Sequence, residues 1–565
     1  MASKVAGVLS AFILLLFASS VVSAADYYAS PNGKSTGSGT QQAPWDLQTA
    51  FNKSTVIRPG DTLWLRGGTY GTGGATKFTT RLSGTKEQPI IIRQYKGERA
   101  IVDGGIETVS GSSFNWFWGF EITNSNPERK VTPSDRPSGI NMLSPGHKAI
   151  NMIIHDVGHP GIGFWTPVGD GGEIYGTILW GNGLYDTTTI PGTADAPWTR
   201  GSPIYAQNQV GNRFIEDTIT FRNFTTGMKA YTEGGWANGF VFRGNTTFDS
   251  GDRILFVSAR DNPVQSVLFE ENYTYRPKTD SRYNVHLGYA NVDQVKAEVK
   301  NNYFVGGASD VMYFERWRDA TVTGNTIVGT NSLVNWFKPL YYPFTASWSD
   351  NSYFGGSAKP FRIDNTTVDF NTWKSSGFDY NSIFTTAFPT QNKIFVRPNK
   401  YQAGRANITI YNWEQKDNVD VDLSSVLQTG DNYEIRDVQN YFKVIKSGTY
   451  NGAVVSLPTT LTEVEPLVGD VTHLQNIHTS KEFNVFVVAV PARETETPNQ
   501  TPQPSASPTP KAGDANADNK VDGIDYVIWL NHYGQNISGV SNGDFNDDSK
   551  VDGIDYVIWL NNYGK

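Results

Sequence analysis

The feature that most restricts the fold of this chain is a long series of short apolar runs, each ended by an asparagine or a glycine. The turn asparagines are Asn182, Asn223, Asn245, Asn272, Asn302 and Asn325. They recur at intervals of roughly 20 to 40 residues, the range typical of solenoid repeats. A single coil cannot bury its apolar side chains, whereas stacked coils can. The pattern therefore predicts a parallel β-helix, with an array of β-sandwiches as the alternative fold.

Two segments near the N-terminus carry a family resemblance, YYASPNG at 27–33 and RPGDTLWLRGGTY at 58–70, with Pro44-Trp45 between them. They resemble the N-terminal cap of secreted right-handed parallel β-helix proteins, a group that includes polysaccharide lyases and glycoside hydrolases. The resemblance implies an all-β domain over 25–390. Because these families share a scaffold rather than a reaction, the resemblance says more about the fold than about the chemistry.

The N-terminus has the features of an export signal. Lys4 precedes an apolar run over 5–17, and the small residues 22–24 form a cleavage site. This arrangement predicts a signal peptide over 1–24 and a secreted, extracellular protein. An uncleaved membrane anchor is the alternative. We find no other apolar run long enough to cross a bilayer, so no membrane contact is expected after cleavage.

The sequence changes character again after the predicted β-helix. Alternating strands joined by polar turns predict a β-sandwich over 391–493. A Pro/Thr/Ser-rich stretch at 494–512 predicts an extended linker. The remaining segment, 513–565, holds nine Asp against three Lys, so the acidity of the chain is concentrated there and indicates a local cation site.

This acidic segment contains one pattern twice, at 514–533 and 544–563. Each copy begins D-x-N-x-D-x-K-x-D-x-x-D and continues into an apolar run with helical spacing. Oxygen ligands at this spacing suit calcium, so we expect one ion in each copy. The predicted ligands are Asp514, Asn516, Asp518, Asp522, Asp525 and the Lys520 carbonyl in the first copy, and Asp544, Asn546, Asp548, Asp552, Asp555 and the Lys550 carbonyl in the second.

The duplicated loop resembles a type I dockerin, the small α-helical calcium-loop module that docks on cohesin domains. It differs from an EF-hand, since loop position 6 is Asn519 or Ser549 instead of glycine. The resemblance implies a cohesin-bearing scaffold or surface protein as partner. Gly523-Ile524 and Gly553-Ile554 replace the Ser-Thr pair frequent in this family, which leaves the class of cohesin open. A calcium-folded module without a partner is the alternative.

The composition narrows the remaining choices of function. The chain has no cysteine, which excludes disulfides, thiol catalysis and Cys-ligated metals. Its formal net charge is −8 and it has no basic block, which argues against a nucleic-acid partner. Aromatic residues make up 13%, with 15 Trp, and their flat faces favour sugar rings as ligands.

Candidate site residues follow from the alternation of side chains along a strand. Outward side chains of stacked strands form a groove, and a shift of one residue would reverse the two faces. We aligned six strand-like runs between residues 161 and 319 on their inward apolar positions. The candidate catalytic residues are Lys229, Tyr231, Glu233, Arg260, His286 and Glu315, and the candidate substrate-binding residues are Trp165, Tyr205, Gln207, Asn284, Tyr313 and Arg316.

This combination of cations, carboxylates, a histidine and aromatic rings suits the cleavage of an acidic polysaccharide. A lyase neutralises a uronate carboxylate, removes the neighbouring proton and protonates the leaving oxygen. Arginine suits the first task, or a calcium ion in the groove could replace it, and Lys, Tyr or His suits the others. We therefore expect an extracellular enzyme that acts by β-elimination on a polysaccharide substrate.

Two alternatives stay open. A glycoside hydrolase on the same scaffold needs two carboxylates about 5–9.5 Å apart. Glu233 and Glu315 lie three coils apart in the alignment, which is too far, whereas Asp252 or Asp261 could pair with Glu233. The other alternative is a non-catalytic carbohydrate-binding or surface-assembly protein.

Overall fold

The computed structural model describes residues 24–129, 136–158, 160–165, 171–186, 198–289, 292–341, 343–469, 474, 476–491, 512–515, 520–546 and 548–564. Nearly all of the predicted signal peptide and linker lies outside these residues, as do the predicted ligands Asn516 and Asp518. The chain divides into two compact units, one of 1–399 with 404–495 and one of 400–403 with 496–565.

The first unit contains a β-helix of three sheets, each with 12 strands. Sheet 1 consists of Asp26–Ala29, Thr62–Leu65, Ile90–Gln94, Asn115–Trp118, Lys148–Ile150, Glu173–Tyr175, Arg213–Glu216, Phe240–Arg243, Ser266–Glu270, Gln294–Lys300, Trp317–Thr323 and Thr345–Ser349. Sheet 2 consists of Lys77–Thr80, Gly105–Thr108, Ile140–Met142, Ile162–Phe164, Ile204–Ala206, Met228–Thr232, Leu255–Ala259, Val285–Leu287, Met312–Glu315, Val334–Phe337, Phe361–Ile363 and Thr366–Val368. Sheet 3 consists of Gly68–Gly71, Ala100–Asp103, Glu121–Thr123, Ile153–His155, Ile178–Trp180, Ile219–Phe221, Thr246–Phe248, Tyr273–Tyr275, Tyr303–Val305, Thr326–Gly329, Ser352–Gly355 and Ile383–Thr385. Apart from the last pair of sheet 2, neighbouring strands are parallel, so the predicted parallel β-helix is confirmed.

Inward side chains stack in columns along the helix axis. In sheet 1 the paired positions Ile174, Ile215, Phe242 and Phe269 continue one fully buried column. The rings of Phe242 and Phe269 stack at 4.8 Å. Each coil thus buries its apolar side chains against the coils on either side, as the repeated short runs require.

A ladder of asparagine side chains lines the corner between sheets 1 and 3. Its members are Asn245, Asn272, Asn302, Asn325 and Asn351, and each Nδ2 donates to the next Oδ1 at 2.8–3.0 Å. Asn351 ends the ladder by donating to Asp379 at 2.7 Å. Asn182 and Asn223 form a separate buried pair after two sheet 3 strands. The asparagines that form one series in the sequence therefore belong to two different corners.

The same corner needs a left-handed residue in each coil. The residue before each ladder asparagine has a positive φ, at Gly244, Glu271, Asn301, Gly324 and Asp350. Glycine adopts this conformation without a steric cost, and Asn and Asp tolerate it better than most residues. The hydrogen bonds of the ladder and the positive φ before it explain why Asn and Gly recur at the ends of the apolar runs.

An antiparallel domain follows the β-helix in the first unit. Its larger sheet has the order Lys393–Pro398, Ala406–Tyr411, Phe483–Ala489, Asn432–Asp437 and Val444–Thr449, and Asn418–Val421 pairs with Val455–Pro458. Its aromatic residues pack on the outer face of sheet 3, where Phe483 stacks on Tyr275 at 4.4 Å. The hydroxyl of Tyr411 donates to the Thr274 carbonyl at 2.9 Å. A separate domain of antiparallel sheets, where the sequence predicts a β-sandwich, is confirmed, and its apolar residues pack on sheet 3.

The second unit contains two matching helices, Gly523–His532 and Gly553–Asn562, with a short 3-10 helix at Val540–Asn542. Asp522 and Asp552 cap the two helices in the same way, each with a capping box. The indole of Trp529 donates to the Asp552 carbonyl at 2.9 Å, and that of Trp559 donates to the Asp522 carbonyl at 2.9 Å. The two sequence copies thus pack as equivalent halves.

The smaller elements complete the described chain. They are the helices Leu47–Phe51 and Phe370–Ser375, the 3-10 helix Val438–Asn440, and the antiparallel pair Leu184–Asp186 with Trp198–Arg200. No helix among the described residues has the length and apolar character needed to cross a membrane.

We predict that Asn302→Ala destabilises the β-helix by about 1–3 kcal/mol, because it leaves buried donors and acceptors in the ladder without partners. Asn302 accepts from the backbone and side chain of Asn272 and donates to Asn325. Thermal unfolding measures the loss. Asn418→Ala, at an exposed position of the antiparallel domain, is the control. Equal melting temperatures for the two variants would contradict the ladder's role.

Candidate functional site

The outer face of sheet 2 carries a column of large side chains. Strand register aligns Tyr205, Lys229, Phe256, His286 and Tyr313 on consecutive coils. The neighbours of Lys229 on its strand, Met228 and Ala230, are fully buried, so the column faces outward. The structure thus brings four predicted residues, those other than Phe256, into one row. A second row holds Tyr231 and Ser258 on neighbouring coils and Glu315 further along.

Lys229 occupies an aromatic site within this face. Its Nζ lies 5.4 Å from the ring centre of Tyr205 and 5.1 Å from that of Tyr231. Among the described residues, none of the carboxylates comes within ion-pair distance of Lys229. Burial lowers the pKa of Lys229, and the positive charge of Arg253 lowers it further. A lysine in this position holds its neutral, basic form at lower pH than an exposed lysine.

Phe256 and Tyr289 form an aromatic wall beside Lys229. Phe256 stacks on Tyr231 at 5.1 Å, and the Tyr289 ring meets Phe256 edge-on at 5.8 Å. Sequence reasoning missed Phe256 because it lies between the apolar residues Leu255 and Val257, so alternation of polar and apolar side chains gave no sign of its direction. The sequence signal that could have identified Phe256 is an aromatic residue between aliphatic ones.

His286 lies between an arginine and a carboxylate. Arg253 Nε donates to His286 Nδ1 at 2.9 Å, and His286 Nε2 lies 3.8 Å from Glu315 Oε2. Burial lowers the pKa of His286, although Glu315 acts in the opposite direction. With Nδ1 accepting, the proton of the neutral ring belongs on Nε2, on the side of Glu315. Arg253 was missed because it precedes the strand and sits outside the alternating pattern.

The rim of the groove carries an exposed charge cluster. Arg260 Nε lies 2.9 Å from Asp261 Oδ1, and its Nη1 lies 3.5 Å from Glu233 Oε2. Exposed ion pairs of this kind contribute little to stability, because both partners remain in contact with water. In the described part of the chain, His, Asp and Glu residues do not gather in threes around a potential metal position. The calcium ion that the sequence suggests for the groove stays a prediction.

The remaining predicted residues have different environments. Trp165 is 39% exposed and meets the Tyr205 ring edge-on at 4.9 Å. Gln207 Nε2 donates to the Tyr205 hydroxyl at 3.2 Å, so both extend the groove. Arg316 occupies a left-handed corner and donates to the Lys338 carbonyl at 2.9 Å.

Asn284 does not face the groove, in contrast to the prediction. It precedes the strand Val285–Leu287, is 1% exposed, and donates to the Val305 carbonyl at 2.8 Å. The alternation used to place it applies within a strand, and the chain is still turning at this position.

The predicted calcium ligands of the second unit that the structure describes lie in the loops before its two helices and in the first turns of those helices. Asp514, Asp525, Asp544 and Asp555 are buried, the last three completely. In the second loop Asp544 accepts from the backbone of Asp548 at 3.2 Å, and Asp555 accepts from that of Phe545 at 2.7 Å. Asp522 and Asp552 cap the helices that follow, and Lys520, Lys550 and Asn546 lie in the loops themselves.

The N-terminal coils match a known domain family. Residues 27–174 match the model described as Pel9A-like, right handed beta helix region. The chain is 25% identical to pectate lyase PEL9 of Emericella nidulans over 296 aligned residues. The alignment covers 42% of this chain and 69% of that protein. The predicted right-handed parallel β-helix is thereby confirmed. The family match ends before most of the candidate site, of which only Trp165 lies within it.

Two solved lyase structures also align with this chain at low identity. The crystal structure of pectate lyase Pel9A covers 60% of this chain and 78% of its own, at 15% identity and a TM-score of 0.36. A rhamnogalacturonan lyase covers 64% of this chain and 86% of its own, at 14% identity and a TM-score of 0.40.

We predict that Arg253→Gln raises the pKa of Lys229 towards that of an ordinary lysine, because it removes a neighbouring positive charge. Reductive ¹³C-methylation followed by an NMR titration reports this pKa. Arg318→Gln, several coils away, is the matched charge removal and should leave it unchanged. An unchanged Lys229 titration in Arg253→Gln would refute the coupling.

Proposed function

We propose that this protein is a secreted lyase that cleaves an acidic, pectate-like polysaccharide by β-elimination. The observation that carries the proposal is Lys229, a half-buried lysine with a lowered pKa and with aromatic rings on both sides. The similarity to a pectate lyase supports the substrate class. The aromatic rings on the outer face of sheet 2, with Trp165 39% exposed, support a polymeric sugar as ligand.

In this mechanism, Lys229 acts as the general base. Its neutral amine removes the proton from the carbon next to the uronate carboxylate. The electron pair of that C–H bond forms a C=C bond, and the C–O bond to the next sugar breaks. A base whose pKa lies closer to the working pH is present in its active form in a larger fraction of molecules.

Other groove residues supply the remaining two tasks. Arg260 is an exposed cation at the rim and neutralises the uronate carboxylate, which makes the neighbouring proton more acidic. The leaving oxygen takes a proton from Tyr231, whose pKa is raised by burial and by Glu233, so that its hydroxyl stays protonated. His286 and Glu315 hold the wall of the groove together with Arg253 and Tyr313.

A glycoside hydrolase is the second candidate, favoured by one observation. Glu233 and Asp261 both contact the guanidinium of Arg260, so two carboxylates lie close together at the rim. A hydrolase would use such a pair, one as acid and the other as base or nucleophile. The two reactions give different products, since only elimination leaves an unsaturated uronate.

For the second unit we propose two bound calcium ions and docking on a cohesin of a scaffold or surface protein. The support for calcium is the burial of Asp544 and Asp555, since buried carboxylates need a compensating charge. Calcium would supply that charge and order the loop. The support for docking is an exposed apolar face on each helix, formed by Ile524, Val527 and Leu530 and by Ile554, Val557 and Leu560, all at least half exposed.

We predict that Lys229→Ala lowers kcat about 100- to 10,000-fold on polygalacturonate, because the general base is lost. The ultraviolet absorbance of the unsaturated product measures the rate, and reducing-end release detects hydrolysis. Lys296→Ala, on the exposed face of sheet 1, is the control and should retain activity. In the wild type the rate should rise with pH, since the active amine is the deprotonated form.

Two results would redirect the assignment. Reducing ends without absorbance, lost in Glu233→Gln and Asp261→Asn, would establish the hydrolase. Binding of polysaccharide without either product would establish the non-catalytic alternative.

We predict that the full chain binds two calcium ions and that Asp555→Ala binds one, because only the second loop loses its last ligand. Calorimetry measures the number of ions. Asp525→Ala is the matched change in the first loop and should also leave one ion, whereas Asp420→Ala, exposed in the antiparallel domain, should leave two.

The docking proposal is tested by adding a type I cohesin to the same preparations. Binding in calcium, and its loss with a chelator, is the expected result. Calcium binding without cohesin binding would leave the module as a calcium-folded terminal unit.

A further inference from the structure

The loop that follows the sheet 2 strand Val334–Phe337 carries two exposed apolar residues, Leu340 and Tyr341, which we call the platform. Tyr341 is 66% exposed and its neighbour Leu340 is 50% exposed. Sequence reasoning gave no role to either residue. Two adjacent large apolar side chains at a loop tip need an explanation, because exposure of this kind often marks a binding surface.

A buried carboxylate fixes this loop in place. The side chain of Asp293 is 2% exposed, and its Oδ1 accepts from the Leu340 amide at 2.7 Å. Its Oδ2 accepts from the Tyr341 amide at 3.0 Å. The backbone that carries both exposed side chains is therefore held by two charge-assisted hydrogen bonds. The platform is preorganised, which lowers the entropic cost of binding a ligand.

Asp293 also positions a cation over the platform. Arg318 Nε lies 3.4 Å from Asp293 Oδ2, and its guanidinium lies 5.7 Å from the Tyr341 ring centre. About half of the Arg318 side chain remains exposed. An exposed guanidinium beside an exposed ring matches a uronate, which has an apolar ring face and a carboxylate.

The platform formed by Leu340 and Tyr341 lies on the same rim as the exposed charge cluster around Arg260. Strands of sheet 2 run in parallel, so the loops that follow them leave at the same edge. Arg260 follows one such strand, and Tyr341 follows another three coils further on. Lys229 is four coils from the strand before Tyr341, which corresponds to about 19 Å at about 4.8 Å per coil.

We propose that Arg318 and Tyr341 form a distal subsite that binds a uronate residue of the same polysaccharide chain that is cleaved at Lys229. This subsite rests on the proposed function and extends it. Tyr341 stacks on the sugar ring and Arg318 binds its carboxylate. The enzyme therefore favours substrates long enough to reach both positions.

The test compares a long and a short substrate. For Tyr341→Ala we expect KM for polygalacturonate to rise about tenfold, which is the change that about 1.4 kcal/mol of lost binding gives. KM for trigalacturonate should not change, because that substrate is too short to reach from Lys229 to the platform. Tyr341→Phe keeps the stacking surface and should behave as wild type, and Arg318→Gln should behave as Tyr341→Ala.

The control is Tyr380→Ala, which removes a tyrosine that is 85% exposed in a turn before a sheet 3 strand. It should leave both KM values unchanged. An equal effect of Tyr341→Ala on both substrates, or no effect on the polymer, would overturn the subsite.

A separate readout distinguishes failure of the subsite from failure of the lyase assignment. If the wild type gives no unsaturated product, calorimetry with polygalacturonate measures binding directly. Weaker binding by Tyr341→Ala than by wild type would then support the subsite although the lyase assignment is wrong. Equal binding would overturn it.

Discussion

The coils of the β-helix are held in register at the corner between sheets 1 and 3 by hydrogen bonds between side-chain amides. Each ladder asparagine accepts from one coil and donates to the next, so no member can shift without breaking bonds on both sides. All the groups involved are buried, and an unpaired amide there would be costly. Because the corner fixes how each coil sits on its neighbour, the outward positions of sheet 2 also align. The row from Tyr205 to Tyr313 is a consequence of this stacking.

Sheets 2 and 3 of the β-helix both carry aromatic columns on their outer faces. The two columns differ in the residues that pack against them. On sheet 3, Trp180, Phe221 and Phe248 stack at 5.8 and 5.1 Å, and the antiparallel domain buries them. On sheet 2, Tyr231 and Phe256 stack in the same way and lie beside Lys229, with Tyr231 partly exposed and Phe256 5% exposed. The aromatic column on sheet 3 stabilises the contact between the two domains. In the proposed function, the column on sheet 2 contacts the sugar chain.

The sequence contains more information about the fold than about the site. Apolar runs ended by Asn and Gly were sufficient to predict the stacked coils, because the corner favours both residues. Asn side chains form the ladder, and Gly adopts a positive φ without a steric cost. Alternation was sufficient to place Lys229, Tyr231 and His286 on one face, since each has a polar or amphipathic side chain between buried neighbours. Alternation failed for Phe256, which is apolar and has apolar neighbours on both sides, and for Asn284, which lies outside the strand. Contacts such as Arg253 with His286 depend on loop conformation, which local patterns do not specify.

The chemistry of the groove depends on which charges are paired. Arg260 at the rim contacts two carboxylates, and its environment is polar and exposed. Lys229 has aromatic neighbours and lies near the positive charge of Arg253. Burial and repulsion from Arg253 both disfavour its protonated form. A lysine that only binds an anion acts through its charged form, which an exposed position in water favours. Lowering its pKa instead increases the fraction of the neutral amine, which is the form that can accept a proton. In the proposed function, proton removal next to a carboxylate is the step that a polysaccharide lyase needs and that a simple binding protein does not.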